Sequence, residues 1–249
     1  IDLTPDEGKR AIFFGWSSDN QHLYYLSNKR NPQFLDLYKM KVGEWSSEMI
    51  YENNDGLEIT NISDDESYFT FVQMITMSSN KLFLKNVQTG ETTEISGDEK
   101  PGTFSGSGFS KDNKYYYYIT DIDKEFKYLV QYEIETGHKS IIFETDWDVM
   151  YSHLSKNEKY RVIAINEDGR TNLIIKDNTT GKNIDWAEIP DGNITSISIS
   201  DSENNMRLTV STSTSPSNIY VYNLETEELT KLTESLNPEI NPDHLVSAE

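Results

Sequence analysis

The chain has 249 residues, and 22 Lys and Arg stand against 42 Asp and Glu, a formal charge of −20. A surface this acidic repels nucleic-acid phosphates and anionic membranes, so neither is expected as a partner. Cysteine is absent, which excludes disulfides, thiolate metal sites and a cysteine nucleophile.

Hydrophobic residues make up only 35% of the chain while aromatics reach 12%, a balance suited to many half-exposed strands with rings on one face. No apolar run approaches the roughly 20 residues of a membrane span. The first residue is Ile1 rather than Met, so the chain reads as a processed or cut piece, and its compartment stays open.

Taken in chain order, five segments align on one serine: GWSSDNQHLYYLS, NISDDESYFTFV, GFSKDNKYYYYIT, HLSKNEKYRVIAI and SISDSENNMRLTV. The anchors Ser17, Ser63, Ser110, Ser155 and Ser200 are 45 to 47 residues apart. Each follows a large apolar residue (Trp16, Ile62, Phe109, Leu154 or Ile199), and each precedes a polar turn and a Tyr/Phe/Ile/Val-rich run. A second landmark trails the serines by 26 or 27 residues: KVGE, QTGE, ETGH, TTGK and ETEE. It is flanked by alternating runs such as KLFLKNV before and TTEIS after, which predicts a tight hairpin.

Four short strands in about 45 residues is the arithmetic of a β-propeller blade. The expected fold is all-β: a propeller with five recognisable four-stranded blades. The expected divisions are a remnant of a preceding blade at 1–10, blades at 11–56, 57–101, 102–147, 148–192 and 193–236, and a linker at 237–249. IDLT at the start matches the outer strand LTKLT, which suggests a truncated larger propeller. A five-blade ring, or edges covered by another copy, stays open as an alternative, since unpaired strand edges invite association.

Ser107, in the stretch Gly106-Ser107-Gly108, invites a nucleophile reading. The hydrolase elbow needs Gly-x-Ser-x-Gly on a strand-to-helix turn, whereas these glycines are adjacent to the serine and another strand follows. Tyr115 to Tyr118 form the second strand of that blade, and alternate rings are expected on opposite faces.

The serine pattern resembles the propeller repeat of TolB-like proteins and serine peptidases, apolar-Ser-Pro-Asp-Gly-Lys-x-Leu-x-Tyr-x-Ser. Asn157 and Ser202 depart from it where aspartate is usual. TDIDKEFKYLVQYEIETG, then DWDV, INEDGRTNLIIKD, STSTSPSNIYVYNLETEELTKLTES and the tail NPEINPDHLVSAE are similar to the propeller and following linker of the prolyl oligopeptidase family. The resemblance implies a serine peptidase as parent and a non-catalytic cap that admits short peptides. Its partner would be a C-terminal α/β-hydrolase domain of the same protein, with a homo-oligomer through blade edges as a further option. The family's catalytic serine, aspartate and histidine have no counterpart here, so no catalytic, cofactor or metal residue is assigned and the chain alone is expected to be inactive. A TolB-like protein-binding or scaffolding propeller is the alternative.

Other groups point less sharply. His22, His138, His153 and His244 show no metal-ligand spacing. Asp64 with Asp65, Asp121 with Asp123, and Asp146 with Asp148 lack a glycine-containing calcium loop. A five-bladed glycoside hydrolase would use Glu58 and Asp148 as its carboxylates, about 5 Å or about 6.5–9.5 Å apart. A sialidase would need an arginine trio drawn from Arg10, Arg30, Arg161, Arg170 and Arg207. Trp16, Trp45, Trp147 and Trp186 are expected in interblade core.

Overall fold

The computed structural model describes all residues except 1, 6, 98–99, 186–191, 242–243 and 247–249. The chain is all-β. The first repeat holds β1 (Ala11–Trp16), β2 (His22–Ser27), β3 (Asp36–Lys41) and β4 (Ser47–Tyr51). The second holds β5 (Glu58–Ile62), β6 (Tyr68–Thr76), β7 (Ser79–Asn86) and β8 (Thr92–Glu94), and the third β9 (Phe104–Phe109), β10 (Tyr115–Thr120), β11 (Tyr128–Glu133) and β12 (Lys139–Phe143). The fourth has β13 (Asp148–Leu154), β14 (Tyr160–Glu167) and β15 (Arg170–Asp177), and the fifth β16 (Asn193–Ile199), β17 (Asn205–Thr212), β18 (Ser215–Asn223) and β19 (Leu229–Lys231). Each repeat builds one antiparallel blade of a β-propeller. At the outer side of the fourth, Asn183 bridges to Lys176 and the Ile184 N–H bonds the Ile175 carbonyl.

The chain divides into two units, Ile1–Phe109 and Ser110–Glu249. In the first, blades 1 and 2 pack through Tyr24, Leu37, Ile59, Phe69 and Phe71. β9 joins this unit through Asn80, whose side chain accepts the Phe104 N–H at 2.7 Å and donates to the Phe104 carbonyl at 3.0 Å. Of IDLT, the stretch that matches an outer strand in sequence, the described residues 2–4 lie outside the strands. Leu3 packs on blade 1, against Tyr25, Tyr38 and Met40.

In the second unit, the Tyr115–Tyr118 run alternates as expected. Tyr117 joins Ile119 and Leu129 in a core shared with Val149, Ile163 and Ile165 of blade 4. Tyr116 and Tyr118 stack on each other on the opposite face at 6.4 Å. The other face of β14 carries Tyr160, Val162 and Ala164 against Met206, Leu208 and Val210 of blade 5. A middle strand buried on both faces cannot alternate apolar with polar, which is why YRVIAI is almost continuously apolar. Each fully buried Leu, Ile or Val contributes roughly 1.5–3 kcal/mol.

The aligned serines have one structural job. Each Oγ accepts the N–H five residues on: His22, Tyr68, Tyr115 and Tyr160 at 2.9 Å, and Asn205 at 3.2 Å. This hydroxyl closes the turn between first and second strands. The residue three after each serine (Asn20, Glu66, Asn113, Glu158, Glu203) takes a left-handed backbone with φ between 55° and 62°. In blades 2 to 4 the second landmark is also a left-handed turn, at Gly90, Gly137 and Gly181. Blade 1 departs from the expected register. Its hairpin closes through the Trp45 N–H on the Lys41 carbonyl, so left-handed Trp45, and not Gly43, takes the place of those glycines.

Candidate functional site

Several of the residues that the sequence offers as catalytic are tied into the scaffold. Ser107 lies on β9, and its Oγ is buried without a hydrogen-bond partner among the described residues. A nucleophile needs a base within reach, and among the described residues none bonds the Ser107 hydroxyl. Asp148 accepts the Lys127 N–H at 2.9 Å and so fixes the loop before β11, while Glu58 is exposed at the start of β5. Asp65 accepts from the Ser63 hydroxyl and the Ser67 N–H, a turn cap.

The arginines are dispersed. Arg30 forms a bidentate pair with the fully buried Asp36, both contacts at 2.8 Å, and donates at 2.7 Å to the Asn53 carbonyl. Asp36 also accepts the Asn53 N–H at 2.9 Å. Burial works against the Asp36 charge, but Arg30 and that N–H hold its carboxyl below the usual range. The cluster ties the β2–β3 loop to the chain crossing into blade 2. Arg207 donates to the hydroxyls of Ser198 and Ser196 on its own blade. The Arg10 main chain is held by Asn28, and Arg170 lies exposed in the β14–β15 turn.

Arg161 is different. It is a buried guanidinium whose contacts are the Tyr117 ring, 4.0 Å from its central carbon, and the Ser152 hydroxyl at 3.5 Å. Burial pushes its pKa down. The neighbouring His153, stacked on Tyr151, is lowered first by burial and then by the Arg161 charge, which favours the neutral ring. His138 and His244 are exposed, and the His22 N–H serves the Ser17 turn. Among the described residues no three His, Asp or Glu side chains gather in a way that would hold a metal ion.

The tryptophans correct an expectation. Trp16, Trp45 and Trp147 are 54%, 39% and 36% exposed, so they are not interblade core, and Trp186 lies outside the described residues. Trp16 borders a cavity of about 250 Å³ in the first unit, between the inner strands of blades 1 and 2, with Tyr24, Asn61 and Asp64. Beside it, Tyr24 donates to Glu66 at 2.6 Å, and Lys39 bonds the same carboxylate oxygen. Glu66 was not singled out by motif reading. The available signal was a glutamate at a turn position where the repeat pattern has glycine.

Comparison with known proteins adds the following. The family model for the prolyl oligopeptidase N-terminal β-propeller domain matches residues 5–235. No curated protein sequence matches the chain. Among solved structures, TolB from Acinetobacter baumannii aligns with a TM-score of 0.65 at 13% identity, covering 91% of this chain and 55% of that one. Prolyl oligopeptidase B from Galerina marginata aligns with a TM-score of 0.69 at 17% identity, covering 92% and 34%. A puromycin-hydrolyzing peptidase of Mycobacterium tuberculosis aligns with a TM-score of 0.70 at 11% identity, covering 96% and 40%. At these identities the likeness is one of fold. The chain spans 55% of the TolB structure and 34% of the prolyl oligopeptidase.

Proposed function

The chain belongs to the prolyl oligopeptidase N-terminal β-propeller domain family, and from that premise we propose that it is the non-catalytic propeller of a serine peptidase. In this reading it gates and positions short peptides for an α/β-hydrolase domain joined C-terminal to it in the parent protein. The observation that carries the reading is the family match from residue 5 to 235, which takes in all five repeats. The local chemistry agrees. Of the side chains weighed for catalysis, Asp148 caps the Lys127 N–H and Arg30 pairs with Asp36. Reaction chemistry is then supplied by the joined domain, and selection by the opening it covers.

The test is a peptide-hydrolysis assay on the purified 249-residue chain beside the full gene product. The proposal expects no turnover by the chain and turnover by the gene product that serine-directed inhibitors stop. Hydrolysis by the pure chain itself sinks it. The resemblance in fold to TolB supports a second reading, a protein-binding scaffold. A stop codon shortly after residue 249 favours that one, and a Gly-x-Ser-x-Gly segment downstream favours the first.

A further inference from the structure

The serine turns come in three wirings, and in blade 5 Ser200 meets the Ser202 hydroxyl at 3.1 Å in place of an acid. In blades 1 to 3 the turn supplies its own acid two residues after the serine. Ser17, Ser63 and Ser110 donate to Asp19, Asp65 and Asp112 at 2.6, 2.9 and 2.8 Å. The same carboxylate oxygens accept the N–H groups of Gln21, Ser67 and Lys114, at 2.9, 3.0 and 3.1 Å. In blade 4 that position is Asn157, whose side chain turns outward to accept from the Lys111 ammonium at 3.0 Å. The missing carboxylate is nonetheless present, because Glu203 of blade 5 fills its place. Its Oε1 accepts the Ser155 hydroxyl at 2.5 Å, the Asn157 N–H at 2.8 Å and the Lys159 N–H at 3.4 Å. Ser155 and Lys159 are the counterparts of Ser110 and Lys114.

Glu203 is buried, with 6% of its surface exposed, and its backbone is left-handed with φ 59°. A residue with a Cβ pays roughly 1–2 kcal/mol in that conformation, and glycine would not. A glutamate there is therefore unexplained by the backbone and explained by where its carboxylate reaches. Two other glutamates at the same repeat position also reach the preceding blade. Glu66 accepts from Tyr24 and Lys39, and Glu158 accepts the Lys111 N–H at 2.6 Å. Of the three, Glu203 alone substitutes for a turn acid.

We infer that Glu203 is the turn acid of blade 4 supplied in trans, a latch that makes closure of the blade 4 turn depend on docking of blade 5. The charged groups around it fit the assignment. Lys159 lies close enough for its charge to be felt, and Asp201 on the same turn is engaged by Lys156 at 2.6 Å. Undocking blade 5 leaves Ser155 and two main-chain N–H groups without their acceptor, so the β13–β14 turn of blade 4 loosens together with the seam.

The test is a set of thermal melts on four chains: wild type, Glu203→Gly, Asn157→Asp and the double variant. Glycine relieves the left-handed backbone, so a purely conformational role predicts a higher Tm for Glu203→Gly, whereas the latch predicts a fall of about 3–8 °C. The decisive reading is the sign of Asn157→Asp. Beside Glu203 it crowds two carboxylates onto one set of donors and lowers the Tm. In the Glu203→Gly chain it restores the wiring of blades 1 to 3 and raises the Tm. If Asn157→Asp moves the Tm in the same direction in both backgrounds, or if Glu203→Gly matches or exceeds wild type, the latch is refuted. Glu203→Gln, which keeps the shape and loses the charge, melts between wild type and Glu203→Gly, and a wild-type Tm for it would overturn the assignment of Glu203 as a turn acid.

Discussion

Blade 4 meets its two neighbours in the second unit through the two faces of one strand, and the two seams are built differently. Toward blade 5, β14 presents Tyr160, Val162 and Ala164 to Met206, Leu208 and Val210, an apolar contact. Toward blade 3 it presents Ile163 and Ile165, but the same face begins with Arg161. The residues at the position of Arg161 in the other repeats are Leu23, Phe69, Tyr116 and Met206. A cation thus stands where the repeat otherwise places an apolar side chain. Its charge meets the face of Tyr117, and its stem fills the volume an apolar residue would occupy. The comparison teaches that the repeat fixes volume at this seam more strictly than polarity, provided an aromatic face receives the charge. The polar tie at the blade 4–5 seam lies at its edge, in the Glu203 turn.

The comparison breaks first where volume is removed. Leu208→Ala in the blade 5 seam and Leu129→Ala in the blade 3 seam each leave a cavity beneath a buried side chain and should cost about 2–5 kcal/mol in chemical denaturation. A much smaller loss at Leu129 would mean that the blade 3 seam is loosely packed and that Arg161 is tolerated for that reason. Arg161 separates volume from charge. Arg161→Ala loses packing and should cost about 1–3 kcal/mol, while Arg161→Met, which copies Met206 and keeps the volume of the stem, should cost clearly less. A cost for Arg161→Met equal to that of Arg161→Ala would show the cation itself to be needed.

Acid sharpens the same contrast. The hydrogen bonds on Glu203 outweigh its burial and hold its pKa below the ordinary glutamate value. Asp112, exposed in the blade 3 turn, is pulled down to about 2, first by Lys114 and then by the Lys114 N–H and Ser110. Both folded values lie below the unfolded ones, so the stabilisation is complete above roughly pH 4–5 and is lost as pH falls through the folded values. Thermal melts from pH 6 to pH 2 should show a falling Tm, and Glu203→Gln should flatten that fall more than Asp112→Asn, because solvent screens the exposed pair. The reverse order would place the acid sensitivity in the self-contained turns. The smallest effect belongs to the surface: Lys156→Ala removes an exposed pair with Asp201 and should change stability by less than about 0.5 kcal/mol.

Much of this architecture is written locally. The serine, the turn and the aromatic run that follows are contiguous, so their 45- to 47-residue rhythm announces the blades, and the Tyr115–Tyr118 alternation follows from strand geometry. What escapes a local reading is what one blade does for another. Asn157 shows that an aspartate is missing, yet nothing beside it says that Glu203 supplies the carboxylate. Arg161 enters the sequence reading only as one of five arginines for a possible trio, and nothing beside it says that the Tyr117 ring faces it. The tryptophans mislead for a related reason: each adjoins an apolar strand in sequence, yet the described ones, Trp16, Trp45 and Trp147, stand partly exposed. Trp45 shows the limit of motif registration, since a Gly beside a Glu in KVGE drew the hairpin two residues early.

The central claim, that this chain selects peptides without reacting with them, is met most directly by comparing kcat/KM for a short and a long peptide carrying the same cleavable bond. The comparison is made in the parent protein with and without residues 1–235. The account predicts that the intact protein strongly prefers the short peptide, and that the shortened one, still cleaving it, accepts both nearly alike. An unchanged preference in a shortened protein that still cleaves the short peptide would contradict the account.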